Sequence, residues 1–304
     1  MMVSIWPSLS ETAADFREFQ SAGKMLPMSN CYNAFDSAAR EMYWKQANTG
    51  LFQNGIDAWW CDSSEPVTAE WNHENEPSPH RVYEEYLAQS SAMMPYALCN
   101  AYSLYHSSGI YEGQRKANPR KRVVNLTRSS YFGQQRYGTV SWSGDISAKW
   151  EVLRRQIVAG LQFCVTGNPY WTLDIGAFFV KKGRSWFWNG DFPEGNRDLG
   201  YRELYTRWYQ LGAFLPLFRS HGTDTRRELW HFGDAGSLFY DALVQANRMR
   251  YRLLPTIYSY AGQVWLKDFT LLRMPAFDFP RDKRALQVED QFMFGKDLLV
   301  CPVK

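Results

Sequence analysis

Short apolar segments alternate with longer amphipathic segments along most of the chain. Six of the apolar segments have the length and the flanking residues of buried strands: Met2–Ile5, Ile56–Asp62, Val123–Thr127, Tyr170–Asp174, Phe214–Phe218 and Leu271–Pro275. In the segments between them, apolar residues recur with helical spacing: Glu11–Ala22, Ala38–Phe52, Arg81–Tyr105, Ala148–Phe163, Tyr201–Leu211 and Ser237–Tyr260. This alternation predicts an α/β fold whose parallel sheet is covered by helices on both faces.

The number of strand–helix units indicates a TIM-type barrel. We count six β/α units in the sequence, whereas a closed (β/α)8 barrel has eight. The first and last residues of the chain also read as strands, so we expect an incomplete barrel whose two missing units would precede residue 1. One connection, Phe178–Gly200, is aromatic, rich in glycine and too long for a plain turn, and we expect it to form a lid or a pocket wall.

Polar side chains stand at the ends of several predicted strands. Asp62 ends the second strand, Arg128 follows the third, Asp174 ends the fourth, and Arg219 and His221 follow the fifth. In a parallel barrel the carboxyl ends of the strands share one rim, where catalytic groups collect. These residues are therefore expected to converge on one pocket.

The alternation of side chains along the second strand separates its two aspartates. Asp62 shares a strand face with Trp60, whereas Trp59 and Cys61 point to the opposite face. Asp57 lies near the start of the strand, at the end opposite to Asp62, so we interpret Asp57 as a structural residue.

A carboxylate beside an arginine, a second carboxylate and tryptophan walls suits glycoside chemistry. Cleavage of an acetal needs an acid that protonates the leaving oxygen and a carboxylate beneath the developing oxocarbenium carbon. Asp145, in "SWSGDIS" beside Trp142, is a candidate for the second carboxylate. The alternative is that Asp145 or Ser147 only caps the helix predicted to begin at Ala148.

Six segments of the chain resemble successive blocks of glycoside hydrolase family 31 and occur in that family's order: "GIDAWWCDSSEP", "NLTRSS", "WSGDISAKW", "YWTLDIGAF", "FLPLFRSHG" and "QFMFGKDLLVCPV". The family consists mostly of retaining α-glycosidases on a (β/α)8 barrel. The resemblance implies that Asp62 is the nucleophile and Asp145 the general acid/base, and that Glu65 supports the nucleophile loop. It also implies the residues around the sugar at the cleavage point: Trp60, Arg128, Trp142, Asp174, Phe178 and His221.

The same resemblance implies a domain division and a substrate class. Residues 1–285 correspond to a partial catalytic barrel and residues 286–304 to an exit segment into a truncated C-terminal β-domain. "MVSIWPSL" and "WWCDSSEP" are most similar to bacterial α-xylosidases, so an α-xylosidase is the leading expectation. An α-glucosidase or α-galactosidase is the alternative within the family. The rival from another class is an inactive fragment or a non-catalytic carbohydrate-binding protein.

Composition and charge bear on the possible partners, on membrane insertion and on metal or disulfide sites. A net charge of +3 gives no indication of a nucleic-acid partner, and no apolar run approaches the ~20 residues of a membrane helix. The cysteines are scattered and the other histidines lack ligand spacing, so neither a disulfide framework nor a metal site is predicted. No cofactor is expected, and the expected partner is an oligosaccharide or another α-glycoside. The sequence leaves the localisation and the oligomeric state undetermined.

Overall fold

The protein divides into two compact units, Met1–Trp142 and Ser143–Lys304. The computed structural model describes residues 1–67, 71 and 73–304. Each unit has its own hydrophobic core, and the two are described separately below.

The first unit contains four parallel strands that lie side by side in chain order: β1 (Met2–Ile5), β2 (Ala58–Cys61), β3 (Asn125–Thr127) and β4 (Thr139–Trp142). Its helices are α1 (Ala14–Ser21), α2 (Ser37–Gly50), α3 (Pro79–Met93) and α4 (Tyr102–Ala117). The register pairs Cys61 of β2 with Thr127 of β3, so these two strands end level with each other. The residues that follow them therefore start from the same edge of the sheet.

Aromatic side chains fill the core of the first unit. Trp59 is fully buried, and its indole N–H donates a hydrogen bond to Oε1 of Gln114 at 2.7 Å. The amide group of Gln114, which is also fully buried, donates to the carbonyl of Arg122 at 3.1 Å. These two hydrogen bonds provide partners for the buried indole N–H of Trp59 and for the buried side-chain amide of Gln114.

The second unit is mainly helical and carries a small antiparallel sheet. Its helices are α5 (Trp150–Val165), α6 (Leu199–Gly212), α7 (Leu238–Lys267) and α8 (Pro275–Asp278). The strand β5 (Trp171–Thr172) precedes α6, and β6 (Leu272–Arg273), β7 (Phe292–Phe294) and β8 (Leu298–Val300) form the antiparallel sheet. Tyr205 of α6 stacks on Phe232 with ring centres 4.1 Å apart, within a core that also contains the fully buried Trp208.

Two predicted elements differ from the structure. The single helix expected over Arg81–Tyr105 is two helices, α3 and α4, because Pro95 favours an extended conformation at Met94 (φ −139°, ψ 153°) and so ends α3. The strand expected at Phe214–Phe218 is wrong. The Arg250 guanidinium donates hydrogen bonds to the carbonyl groups of residues 213, 215 and 216. These carbonyl groups are thus bonded to a side chain and not to a neighbouring strand.

The structure also adds one strand and changes the setting of another. Residues Thr139–Trp142, which we did not predict as a strand, form β4, a short run that ends two residues before Gly144. The predicted strand Leu271–Pro275 exists as the shorter β6, but it pairs antiparallel with β7. Within the described part of the chain, no helix combines the length and the apolar character needed to cross a membrane.

The bond between Trp59 and Gln114 gives a test of the first unit's core. We expect Gln114→Ala to lower the free energy of unfolding by about 2–4 kcal/mol, because a buried indole N–H loses its acceptor and a void remains. Urea unfolding followed by tryptophan fluorescence measures this loss. The control Gln53→Ala, at an exposed position, should stay within about 0.5 kcal/mol of the wild type. Equal effects of the two changes would contradict the role assigned to the bond.

Candidate active site

The loop after β2 places Asp62 at the edge of the first unit's sheet. Ser63 adopts a left-handed conformation (φ 49°), which is uncommon for a residue other than glycine and turns the chain directly after Asp62. The Ser63 N–H donates to Oδ1 of Asp62 at 2.8 Å. Ser64 is fully buried, and its hydroxyl lies 2.9 Å from that of Thr127 at the end of β3. The loop is thus fastened to the neighbouring strand.

Arg128, which follows β3, holds both carboxylates of this loop. Its Nη1 lies 3.1 Å from Oδ1 of Asp62, and its Nε donates to Oε1 of Glu65 at 2.7 Å. Its Nη2 lies 2.5 Å from the same Glu65 oxygen and donates to the Ser63 hydroxyl at 2.9 Å. The guanidinium carbon also lies 5.4 Å from the ring centre of Trp71, within the range of a cation–π contact. One guanidinium therefore holds three side chains of the same loop, those of Asp62, Ser63 and Glu65.

Glu65 shares the Arg128 guanidinium with Asp62. Burial of its carboxyl group raises the pKa of Glu65, while the charge and the hydrogen bond of Arg128 oppose this shift. Both bonds from Arg128 go to Oε1, and Oε2 is buried without a hydrogen-bond partner among the described residues. This arrangement fits a residue that holds Arg128, and the supporting role of Glu65 stays a prediction.

The two tryptophans expected near the nucleophile contact each other. The rings of Trp60 and Trp142 meet edge to face, with centres 5.6 Å apart and an angle of 80°. Trp60 is half-buried on the strand face that leads to Asp62, and Trp142 is buried at the end of β4. The first unit therefore brings together five of the predicted site residues: Trp60, Asp62, Glu65, Arg128 and Trp142.

Asp145 lies in the second unit, in a loop that is paired with a later segment of the chain. The N–H groups of Phe178 and Phe179 donate to the Ile146 carbonyl at 2.9 and 3.0 Å, and the Ala148 N–H donates to the Phe179 carbonyl at 2.8 Å. Helix α5 begins only at Trp150, and its N-cap residue is Lys149, whose side chain makes no capping hydrogen bond. The alternative that Asp145 or Ser147 caps this helix is therefore wrong.

Asp174 is fully buried beyond the end of β5 and is paired with Arg219. The Nη2 group of Arg219 donates to Oδ1 of Asp174 at 2.5 Å. Burial raises the pKa of Asp174 to about 7, with a smaller contribution from the negative charge of Asp145, while Arg219 and Arg227 oppose the shift. Asp174 and Asp145 therefore lie near enough to interact electrostatically.

Phe178 and His221 form the apolar side of the same region. Their ring centres are 5.5 Å apart, and both side chains are half-buried. Burial, together with the charges of Arg219 and Arg227, lowers the pKa of His221 to about 4. The imidazole is thus neutral at pH 7 and offers one hydrogen-bond donor and one acceptor.

Two residues of this region were missed by the sequence reasoning. Asp224 accepts hydrogen bonds from the backbone of residues 180 and 181, and Arg227 donates to the carbonyls of Ala177 and Phe178 at 2.7 and 3.1 Å. The sequence feature that could have indicated them is the charged run "TDTRRE" directly after His221 and Gly222. A loop that only connects two elements does not need so many charged residues. In the described residues, no group of three or more His, Cys, Asp or Glu side chains is arranged to bind a metal ion.

Comparison with known families covers almost all of the chain. The model of the glycosyl hydrolases family 31 TIM-barrel domain matches residues 1–260, and that of the glycosyl hydrolase family 31 C-terminal domain matches residues 268–304. The chain belongs to glycoside hydrolase family 31. The resemblance seen in the sequence is confirmed, as is the expected α/β fold of a TIM-barrel domain, of which the chain spans a part. The domain boundary near residue 285 stays a prediction.

Several members of the family are similar over the whole chain. The α-xylosidase of Saccharolobus solfataricus is 36% identical over 303 residues, which are 100% of this chain and 38% of that protein. The crystal structure of a Xanthomonas citri family 31 α-xylosidase matches with a TM-score of 0.85 and 35% identity, over 99% of this chain and 33% of that one. A soil-metagenome family 31 α-xylosidase in complex with xylose gives a TM-score of 0.82 and 28% identity, over 99% and 45%. The chain thus spans less than half the length of these relatives.

The raised pKa of the buried Asp174 predicts how the free energy of unfolding depends on pH. Its native pKa of about 7 lies above the value of about 3.9 in an unfolded chain, so the native state keeps a proton that the unfolded state loses. We expect the free energy of unfolding of the wild type, relative to Asp174→Asn, to fall as the pH rises from about 4 to about 7, by at most about 1.4 kcal/mol per pH unit.

Urea unfolding of both proteins at several pH values measures this difference. Asp234→Asn, at an exposed position, is the control and should show no such trend. A difference that increases with pH would instead mean that Arg219 keeps Asp174 ionised.

Proposed function

We propose that the protein is a retaining α-glycosidase that hydrolyses O-glycosidic bonds, with α-xylosides as its preferred substrates. The observation that carries the proposal is the carboxylate of Asp62, which remains 23% exposed while Arg128 holds it in place. A nucleophile must be held in place and reachable by the substrate, and Asp62 meets both requirements. Asp174 is also held by an arginine but is fully buried.

The first chemical step uses two aspartates. Asp62 attacks the anomeric carbon while Asp145 donates a proton to the departing glycosidic oxygen, giving a glycosyl ester on Asp62 and a free alcohol. Both the hydrogen bond and the ion pair that described residues make with Asp62 use Oδ1. We therefore assign the attack to Oδ2.

The second step releases the sugar. Asp145, now ionised, removes a proton from water, and the resulting hydroxide attacks the anomeric carbon and frees Asp62. Two inversions leave the sugar with its original α-configuration. We assign Trp60, Trp142 and Phe178 to the apolar faces of the sugar, and Arg128, Asp174 and His221 to the polar contacts around it.

The choice of α-xylosides rests on similarity. The Saccharolobus solfataricus α-xylosidase and two family 31 α-xylosidases of known structure match nearly the whole chain. Human neutral alpha-glucosidase C is 34% identical over 240 residues, which are 77% of this chain. An α-glucosidase is therefore the alternative with support, and an α-galactosidase of the same family is the next.

Substrate preference is tested with chromogenic glycosides. We expect p-nitrophenyl α-xyloside to be hydrolysed with a higher kcat/KM than the α-glucoside or the α-galactoside, and proton NMR to show α-xylose as the first product. Faster turnover of the α-glucoside would overturn the substrate assignment. First release of β-xylose would overturn the retaining mechanism. Binding of these sugars without turnover of any would favour the non-catalytic alternative.

The nucleophile is tested by substitution and by labelling. We expect Asp62→Ala to lower kcat for the aryl glycoside by about 10³-fold or more, because no covalent intermediate can form. A 5-fluoro-α-xylosyl fluoride should label the wild type at the peptide that contains Asp62, as read by mass spectrometry. Asp57→Asn, at the opposite end of the same strand, is the matched control and should keep nearly normal activity. A label on another residue would refute the assignment.

A further inference from the structure

The carboxylate of Asp224 collects several N–H donors from one segment of the second unit. The Val180 N–H lies 3.2 Å from Oδ1 and 3.1 Å from Oδ2, and the Lys181 N–H donates to Oδ2 at 3.1 Å. The indole N–H of Trp188 reaches the same oxygen at 3.2 Å. A carboxylate can accept about four such bonds, and bonds to an ionised acceptor are stronger than those to a neutral one.

The backbone around Asp224 adds to the same attachment. Asp224 itself has a left-handed conformation (φ 55°), which is sparsely populated for residues other than glycine and persists only where surrounding contacts fix it. The Thr223 N–H donates to the Phe178 carbonyl at 3.0 Å. The Arg227 guanidinium donates to the carbonyls of Ala177 and Phe178, and also to those of Thr223 and Thr225. Segment 223–227 thus clamps segment 177–181.

The other side of this clamped segment holds the loop of Asp145. Phe178 and Phe179 both donate to the carbonyl of Ile146, the residue next to Asp145, and Phe179 accepts from Ala148. A second attachment runs through the Ser147 hydroxyl, which donates to the Phe187 carbonyl at 2.9 Å and accepts from the Asn189 N–H at 3.2 Å. Trp188 stacks on Phe179 with ring centres 4.8 Å apart, which joins the two attachments.

From these contacts, and resting on the proposed role of Asp145, we infer that Asp224 is a positioning residue for the general acid/base. Both oxygens of its carboxylate accept hydrogen bonds from segment 177–181. The loop of Asp145 is paired with this same segment, so Asp224 acts on Asp145 through it. Proton transfer requires the acid to lie within hydrogen-bond reach of the leaving oxygen. A displacement of about 1 Å at such a group can cost about 100-fold in rate.

The test exploits the fact that acid assistance matters only for poor leaving groups. Phenyl α-xyloside needs protonation of its leaving oxygen, whereas α-xylosyl fluoride departs with little such help. We expect Asp224→Ala to lower kcat/KM for the phenyl glycoside by about 100-fold and for the fluoride by less than about 5-fold. The corresponding α-glucosyl pair serves if the protein prefers glucose.

Three further variants make the result interpretable. Asp145→Ala is the reference and should show the same selective loss, larger in size, while azide, which attacks the glycosyl ester without a general base, should restore turnover of the fluoride. Asp224→Asn keeps one oxygen for the donors at Oδ2, so its loss on the phenyl glycoside should be about 10-fold, between the wild type and Asp224→Ala. Asp234→Ala, at an exposed position of the same unit, should change neither substrate's rate.

The outcomes separate the inference from the proposed function. Equal losses on both substrates in Asp224→Ala would overturn the positioning role, whether or not the melting temperature falls. Unchanged rates on both substrates would overturn it as well. A selective loss in Asp145→Ala without one in Asp224→Ala would reject the inference and leave the proposed function standing. If Asp145→Ala itself shows no selectivity, the proposed acid/base assignment fails.

Discussion

The pairing of an arginine with each carboxylate at a strand end is the interaction on which the candidate site depends. A carboxylate that leaves water without a partner loses several kcal/mol, so its position is set by the guanidinium that compensates it. Arg128 does this for Asp62 and Glu65 in the first unit, and Arg219 does it for Asp174 in the second. Similar pairs have different consequences, because Asp62 stays 23% exposed whereas Asp174 is fully buried.

The loops that carry these pairs are held in conformations the backbone avoids on its own. Ser63 and Ala177 both have left-handed conformations, at φ 49° and 67°, directly beside residues of the candidate site. Such residues persist where the surroundings over-determine them. At Ser63 the surroundings are the bonds to Arg128 and Asp62, and at Ala177 they are the bond from Arg227 and complete burial. At Ser63 the contacts that hold the carboxylate of Asp62 therefore also fix the backbone, whereas at Ala177 a second arginine does so.

The sequence predicted what depends on local pattern and missed what depends on distant partners. Asp62 and Arg128 could be placed because each follows an apolar run, and strand ends of a parallel sheet share one edge. Phe214–Phe218 has an equally apolar pattern but forms no strand. Carbonyl groups at residues 213, 215 and 216 accept hydrogen bonds from the guanidinium of Arg250, which lies more than thirty residues later in the chain. Asp224 has no pattern of its own, because its importance comes from the N–H groups of residues 180, 181 and 188.

The two carboxylates on Arg128 divide one positive charge unequally. Arg128 carries a single charge, so two ionised carboxylates would leave the group negative overall. Burial raises the pKa of Glu65, the charge and the hydrogen bond of Arg128 oppose that shift, and the charge of Asp62 adds to it. Both contacts of Arg128 with Glu65 are made at Oε1, and no described residue donates to Oε2. Glu65 thereby holds the same guanidinium that pairs with Oδ1 of Asp62, so the position of Asp62 depends on Glu65 through Arg128.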